Sequence, residues 1–326
     1  MTREDERLRT LAARREAALH EHLIEARAPR HARKTRLSGV PKRLPRSRTL
    51  KGDPKIAHYD SAGGAPGEPP IVLVHGVSLR SEDWENIFPR LATRYRVIAY
   101  DARGHGKSGR APSYALADLV SDLIRLLREI AKAPAILIGH SVGGATALVT
   151  AAREPSLVRG LVLEDPWLAQ YRDGKWRTPY FTQLRTALDQ REDPRAFVRA
   201  LSTIPLPEPG PRGERRVGEV RGFYSVDRLA TYYKDVDAAV LDQVLTRDEA
   251  GSAAIADAPS KVRCPVLVLA AGAGSALADG EADRLGAAMP DVRVMKFPGV
   301  GHRIHGLRPE PFLEALEPFL RRVRTT

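Results

Sequence analysis

The chain is short of cysteine and of long apolar runs. Among 326 residues there is one cysteine, Cys264, which excludes an internal disulfide and any zinc site built from several cysteines. No segment approaches the roughly 18 consecutive apolar residues that a membrane span requires, so we expect none. The N-terminus is charged from Arg3 onward and lacks the apolar stretch of a secretory signal. These absences predict a cytoplasmic protein.

Basic charge is concentrated at one end of the chain. The net charge is +12, and residues 1–51 hold 15 Lys and Arg against 6 Asp and Glu, which leaves the remainder close to neutral. We interpret this charge as a solvated tail and expect no nucleic-acid partner. Apolar residues recur at spacings of three and four over 3–27, which predicts a helix followed by a Pro- and Arg-rich linker. A homodimer through this segment and a docking arm for an acidic partner both stay open.

From about residue 56, short apolar runs alternate with longer amphipathic stretches. Runs that are apolar on both faces suit parallel strands covered by helices. They lie at 71–76, 96–101, 135–140, 160–165, 265–272 and 292–297. Amphipathic stretches of helical length occupy 116–132 and 309–323. The alternation predicts an α/β fold with a doubly wound, mostly parallel sheet.

One interval interrupts this alternation. Residues 166–258 contain no convincing strand but several helical patterns, with a Pro- and Gly-rich hinge at 205–213. Ligands of open α/β sheets bind at the carboxyl edge of the strands. We therefore predict a helical cap at 166–258 over that edge. It would be inserted into a core of residues 53–165 and 259–326, with residues 1–52 as the N-terminal helix and linker.

The sequence GHSVGG at 139–144 separates two apolar runs and leaves one hydroxyl between them. A strand that ends here and a helix that starts at Val142 need a very tight turn with Ser141 at its centre. Gly139 and Gly143 stand where side chains would clash. Such a turn holds the hydroxyl above the N–H groups of the helix, which favour an oxyanion. The pattern is the G-x-S-x-G nucleophile elbow, which predicts Ser141 as a nucleophile.

With this motif, the chain resembles the α/β-hydrolase superfamily from about residue 56 to residue 323. Three more stretches carry the resemblance: LVHGVSLRSEDW at 73–84, DARGHGKS at 101–108 and GVGHRIHGLRPEPF at 299–312. The resemblance implies the α/β-hydrolase fold and a triad of serine, acid and histidine. A serine hydroxyl needs a base within hydrogen-bond reach, and the resemblance assigns that role to His302 rather than His305. It also implies an oxyanion hole from the backbone N–H groups of Val77 and Val142.

The acid of the triad departs from the family pattern. In most relatives an aspartate follows the strand at 265–272 by about three residues, but this chain has Ser275 there and no carboxylate before Asp279. Some relatives take the acid from the end of the preceding strand, where this chain has Glu164 and Asp165. Strand alternation points these two side chains to opposite faces. We predict Asp165, and Asp279, Glu164 and the lack of any acid stay open.

The resemblance implies acyl transfer to water. The expected substrate is a small carboxylic ester or lactone, cleaved through an acyl-enzyme, with Ser78, His140 and Trp167 lining the pocket. No residue pattern suggests a metal or an organic cofactor. The alternatives are an amide, C–C bond or peroxyacid reaction on the same triad, and a non-catalytic ligand-binding protein of this fold.

Overall fold

In the computed structural model, strands and helices alternate around one sheet. The structure describes residues 24–25, 44–168, 178–206, 215–220, 224–272, 275–278 and 280–325. The strands are β1 Ile24–Glu25, β2 Arg48–Leu50, β3 Ile56–Asp60, β4 Ile71–Val74, β5 Val97–Tyr100, β6 Ala135–His140, β7 Val158–Glu164, β8 Val266–Ala271 and β9 Val292–Phe297. Their order across the sheet is β1-β9-β8-β7-β6-β4-β5-β3-β2.

The sheet is parallel except at one side. The pairs β2–β3 and β3–β5 are antiparallel, and the other neighbouring strands run parallel. Every residue of β4, β5 and β6 is buried, as expected for strands with both faces covered. Each of the six apolar runs overlaps one of the strands β4 to β9, so the predicted doubly wound, mostly parallel α/β sheet is confirmed.

Helices cover both faces of the sheet. They are α1 Phe88–Leu91, α2 Leu116–Leu126, α3 Val142–Arg153, α4 Thr178–Leu188, α5 Pro194–Ser202, α6 Val226–Tyr233, α7 Ala238–Leu245, α8 Glu249–Asp257, α9 Glu281–Ala288, α10 Ile304–Leu307 and α11 Pro309–Thr325. Along β4, Val72 and Val74 pack with α2, α3 and α9, whereas Ile71 and Leu73 pack with α1 and α11. Within the described residues, no helix has the length and apolar character to cross a bilayer.

The described residues between β7 and β8 are helical. Helices α4 to α7 share an apolar cluster of their own, which also takes in residues from three loops of the sheet. The cluster includes Leu79, Val142, Trp167, Leu184, Leu201, Tyr233 and Leu241. Because Val142 follows β6 and Trp167 follows β7, these helices lie over the carboxyl ends of the central strands. Helices α4 to α7, with the described residues between them, are called the helical segment below. The function of this segment as a cap stays a prediction.

The N-terminal part differs from the sequence prediction where it is described. Ile24–Glu25 pair in parallel with Met295 and Lys296 of β9, so the helix predicted over 3–27 is wrong at these two residues. Backbone hydrogen bonds to the edge of β9 hold Ile24 and Glu25 in an extended conformation. The spacing of apolar residues along the chain does not show such pairing with a distant strand. Arg48–Leu50, within the predicted linker, also enter the sheet beside β3. The remainder of 3–27 lies outside the described residues.

Candidate active site

The turn between β6 and α3 has a strained backbone at Ser141. Its φ is 56° and its ψ is −121°, a conformation that residues other than glycine rarely adopt. Close packing requires the glycines on either side. A Cβ atom on Gly139 would lie 2.4 Å from the carbonyl oxygen of Gly143, and one on Gly143 would lie 2.3 Å from that of Val74. The chain can therefore pass from strand to helix within one residue.

Ser141 lines a cavity of about 440 Å³ between the sheet edge and the helical segment. Other predicted site residues line it too: Val77, Ser78, His140, Trp167 and His302. The apolar part of its wall includes Leu79, Phe181, Leu206 and Leu229. A hydrogen bond between a serine hydroxyl and the imidazole that activates it often shortens only when substrate is bound.

Asp165 follows β7, is fully buried and holds His302. Its Oδ2 atom accepts hydrogen bonds from His302 Nδ1 at 2.6 Å and from the Ala276 backbone N–H at 2.7 Å. Its Oδ1 atom accepts from the Ser275 hydroxyl at 2.5 Å and from the Ala271 N–H at 3.1 Å. Burial alone would raise the pKa of this carboxyl, but the hydrogen bonds from His302 and Ser275 keep it below its usual value. Asp165 is therefore an ionised partner that orients the imidazole.

Neighbouring strands bring Ser141 and Asp165 together. In the parallel pair β6–β7, His140 lies opposite Glu164, so the residues that follow them stand side by side at the sheet edge. Ser275, in the slot where most relatives carry the acid, donates its hydroxyl to Asp165 instead. The alternative Asp279 lies outside the described residues.

The other alternative acid, Glu164, binds a different imidazole. Its oxygens accept from Nδ1 and the backbone N–H of His305 at 2.6 and 2.8 Å, and His305 Nε2 donates to Asp83 at 3.1 Å. The three side chains are fully buried, and the His305 ring stacks on Trp84 with centroids 4.0 Å apart. Burial would lower the pKa of His305, but the two carboxylates raise it to about 9. His305 is thus a charged link between β7 and the 3-10 turn Ser81–Asn86 and does not line the cavity.

Val77 and Val142 carry backbone N–H groups beside the elbow. Val142 is the first residue of α3, so its N–H has no carbonyl partner inside the helix. Val77 lies in the loop after β4, and its N–H donates to no other described residue. Both residues line a second cavity of about 50 Å³, next to the larger one. N–H groups without partners can stabilise a negatively charged oxygen, and this role stays a prediction.

Two buried histidines hold the loop after β4. His75 Nε2 accepts a hydrogen bond from the Ala102 N–H at 2.9 Å. His105 Nε2 accepts from the Ser78 N–H at 3.1 Å, while its Nδ1 donates to the carbonyl oxygen of Arg103 at 2.8 Å. Burial lowers the pKa of His75 to about 4 and that of His105 to about 3. Both rings are therefore neutral, and their hydrogen bonds set the position of Ser78.

His140 precedes Ser141 and is 1% exposed. Its ring centroid lies 4.5 Å from that of His302, and its Nε2 donates to the His302 carbonyl oxygen at 3.1 Å. Burial lowers the pKa of His140 well below 6.5, and the neighbouring imidazoles of His302 and His305 lower it further, so the His140 ring is neutral. The Nδ1 atom of His140 has no hydrogen-bond partner in the described part of the chain. His140 lines the cavity and ties the loop of His302 to β6. Its predicted contact with substrate stays a prediction.

Trp167 connects the elbow to the helical segment. Its backbone N–H donates to the carbonyl oxygen of Ser141 at 3.0 Å. Its ring lies 5.4 Å from that of Phe181 in α4 and is 2% exposed. Trp167 therefore supports the cavity wall and lines it. Its predicted contact with substrate stays a prediction.

Sequence reasoning missed Arg303, which directly follows His302 and lines the same cavity. The signal in the sequence is a basic residue next to the histidine on a site loop, but the residues alone do not show where the guanidinium points. In the parts of the chain that the structure describes, no group of three or more His, Cys, Asp or Glu could hold a metal ion.

Comparisons with known proteins agree with this geometry. A model of the alpha/beta hydrolase family matches residues 71–315. The chain is 28% identical to a 2-(acetamidomethylene)succinate hydrolase of Mesorhizobium japonicum over 268 residues, which cover 78% of this chain and 89% of the relative. It is 24% identical to the sn-1-specific diacylglycerol lipase ABHD11 of Mus musculus over 283 residues, 80% of this chain and 84% of that protein.

A crystal structure of a hydrolase from Pseudomonas aeruginosa superposes with a TM-score of 0.63 at 22% identity, covering 84% of this chain and 98% of that one. This likeness shows the fold, and the match to the family model covers most of the chain. The protein is a hydrolase and belongs to the alpha/beta hydrolase family.

Proposed function

We propose that the protein is a serine hydrolase that cleaves a carboxylic ester or lactone through an acyl-enzyme intermediate. The observation that carries this proposal is the 2.6 Å hydrogen bond between buried Asp165 and His302, in a cavity that the strained Ser141 also lines. A carboxylate on Nδ1 sets the tautomer of the imidazole and stabilises the imidazolium that forms when it takes a proton. It leaves Nε2 for the nucleophile.

In the proposed first step, the Ser141 hydroxyl attacks the carbonyl carbon of the substrate. His302 Nε2 takes the hydroxyl proton and returns it to the leaving alcohol oxygen when the tetrahedral intermediate collapses. The acyl group then remains on Ser141. In the second step His302 removes a proton from water, the resulting hydroxide attacks the acyl carbon, and the carboxylic acid leaves as Ser141 regains its proton. Asp165 stays ionised throughout.

The developing oxyanion would lie against the N–H groups of Val77 and Val142. The neutral rings of His75 and His105 support this role because they fix the loop that carries Val77 without adding charge. Removing one such donor typically lowers kcat by about 100- to 1,000-fold in serine hydrolases.

The wall of the cavity supports an ester or lactone with an apolar part. Phe181, Leu206 and Leu229 of the helical segment and Trp167 surround the space above the serine. Burial of apolar atoms there contributes binding energy in proportion to the area removed from water. The same triad can also cleave an amide, and the name of the Mesorhizobium relative, an acetamidomethylene compound hydrolase, favours that as the second candidate.

The test is hydrolysis of p-nitrophenyl hexanoate, followed by release of p-nitrophenol. We expect Ser141→Ala to lower kcat by about 1,000-fold or more. A fluorophosphonate probe should label Ser141, as located by mass spectrometry of the digested protein. Ser121→Ala is the matched control, because Ser121 is exposed on α2 and donates only to the Ala117 carbonyl.

Each possible failure has a separate meaning. Labelling of another residue, or full turnover by Ser141→Ala, would exclude Ser141 as the nucleophile. If the wild type is neither labelled nor active on esters, lactones and amides, the proposed acyl-enzyme function is excluded.

The proposal extends to the compartment and the assembly. A single cysteine suits the reducing cytoplasm. We also propose that the basic N-terminal segment mediates a homodimer. Size-exclusion chromatography of the full chain and of a variant without residues 1–43 tests this. If both proteins contain the same number of chains per assembly, the segment does not mediate a dimer.

A further inference from the structure

Arg303 places a positive charge in the cavity beside the reacting groups. It follows His302 directly and is half-buried. Its Nη2 atom donates to the Tyr233 hydroxyl at 3.2 Å, and its guanidinium carbon lies 4.5 Å from the centre of the Tyr224 ring. A phenol oxygen and an aromatic face orient the guanidinium and carry no negative charge. Arg303 is therefore held in place by neutral partners.

No described carboxylate pairs with Arg303. The field of Asp83 reaches the guanidinium, but Asp83 lies more than 4 Å from it, hydrogen-bonds to His305 and does not line the cavity. A cation withdrawn from water without a close counter-ion costs folding free energy. Binding sites retain such cations when the ligand supplies the missing charge.

The other described residues that line the cavity add to its positive charge. Arg215 and Arg308 also line the cavity, and the described lining contains no Asp or Glu. The nearby ring of His140 is neutral. A cleft lined by charges of one sign concentrates ligands of the opposite sign. The cavity therefore favours an anion over a neutral or cationic molecule.

From this arrangement we infer that the substrate carries a carboxylate in addition to the bond that is cleaved, and that Arg303 binds this carboxylate. The inference rests on the proposed function, because it concerns the same cavity. A planar guanidinium with N–H groups in a fork matches the two oxygens of a carboxylate. Of the three arginines that line the cavity, Arg303 directly follows His302, and its single charge matches that of one carboxylate. Because His302 and Arg303 line the same cavity, one small molecule can contact both groups.

The experiment uses two esters that differ only at the far end of the acyl chain. These are p-nitrophenyl hydrogen adipate, which ends in a carboxylate, and p-nitrophenyl hexanoate, which ends in a methyl group. We expect the wild type to have the higher kcat/KM for the adipate. A higher value for the hexanoate would overturn the inference without any variant.

Three variants assign the effect to Arg303. Arg303→Gln should lower kcat/KM for the adipate by about 10- to 150-fold, the range for a lost hydrogen bond to a charged group, and should lower the hexanoate value by a clearly smaller factor. Arg303→Lys keeps the charge and should retain more adipate activity than Arg303→Gln. Arg199→Gln, an exposed change on α5 with the same effect on net charge, is the control and should leave both values unaltered.

The outcomes separate this inference from the proposed function. If Ser141→Ala abolishes hexanoate hydrolysis but Arg303→Gln lowers both substrates equally or neither, the carboxylate inference is wrong and the nucleophile assignment stands. If hydrolysis of both esters is independent of Ser141, the proposed function itself fails. Inhibition of hexanoate hydrolysis by free adipate supports a carboxylate site, whereas stronger inhibition by inorganic phosphate would replace the carboxylate with a phosphate group.

Discussion

Replacing His305 by glutamine tests whether a buried positive charge stabilises the fold beside the cavity. Glutamine keeps an N–H group for Glu164 but cannot be protonated. The variant therefore leaves Glu164 and Asp83, both fully buried, without the cation that lies between them. Breaking a buried ion pair in this way commonly costs about 3–5 kcal/mol of stability.

The pKa of His305 gives the magnitude and its pH dependence. The neighbouring carboxylates overcome the effect of burial and raise the pKa from 6.5 to about 9. Because protonation is favoured in the folded state, the contribution is fully present below pH 6.5 and is lost as the pH rises from 6.5 to about 9. A rise of this size corresponds to roughly 3 kcal/mol of unfolding free energy. We expect His305→Gln to be less stable by about this amount at pH 6, with a smaller difference at pH 9.5.

Urea denaturation at a series of pH values measures this difference. Tryptophan fluorescence is a suitable probe, since Trp84 stacks on the His305 ring. His58→Gln is the matched control: His58 is buried in β3 and burial lowers its pKa, so it adds no loss of stability above pH 6.5. If the free energy of unfolding has the same pH dependence in the wild type and in His305→Gln between pH 6 and 9.5, His305 does not carry the buried charge and the reasoning is refuted.

Three further predictions concern the site and the core. Asp165→Asn should lower kcat on p-nitrophenyl hexanoate by about 10,000-fold with little change in KM, because the amide removes the charge that orients and stabilises His302; a loss below tenfold would contradict this. Gly143→Ala places a Cβ atom 2.3 Å from the Val74 carbonyl oxygen, so we expect at least about 3 kcal/mol of destabilisation in urea. Gly286→Ala in α9 is its control, because a Cβ atom there would lie 4.0 Å from the Val292 side chain. We expect this change to be neutral or stabilising. Burial raises the pKa of Cys264 to about 11, so Ellman's reagent at pH 8 should react with it far more slowly in the native protein than in urea; equal rates would contradict that prediction.

The features that the sequence predicts well are local ones. The elbow depends on five consecutive residues, with the two glycines needed where a Cβ atom would lie within 2.4 Å of a carbonyl oxygen. The central strands are predictable because both their faces are buried, which leaves an uninterrupted apolar run. The assignment of Asp165 as the acid depends on the resemblance to the family and stays a prediction.

The features that the sequence does not predict depend on distant contacts. Arg48–Leu50 has one buried residue and joins the sheet only by pairing with β3. The hydroxyl of Ser275 reaches Asp165 across 110 positions of sequence, and His305 reaches Asp83 across 222. Nothing near Arg303 in the chain indicates the tyrosines that hold it. Periodicity reports the buried face of an element but not its partner, which explains why these contacts appear only in the structure.

The helical segment lines much of the cavity, whereas the candidate catalytic residues lie on the sheet, and this division has an evolutionary consequence. Ser141, Asp165 and His302 all stand on turns that the sheet itself supports, while the helical segment provides much of the chamber around them. Insertions, deletions or substitutions in the helical segment can therefore be selected without moving Ser141, Asp165 and His302. Grafting the helices of a distant homologue onto this scaffold should alter which molecules enter while the scaffold keeps its capacity to react.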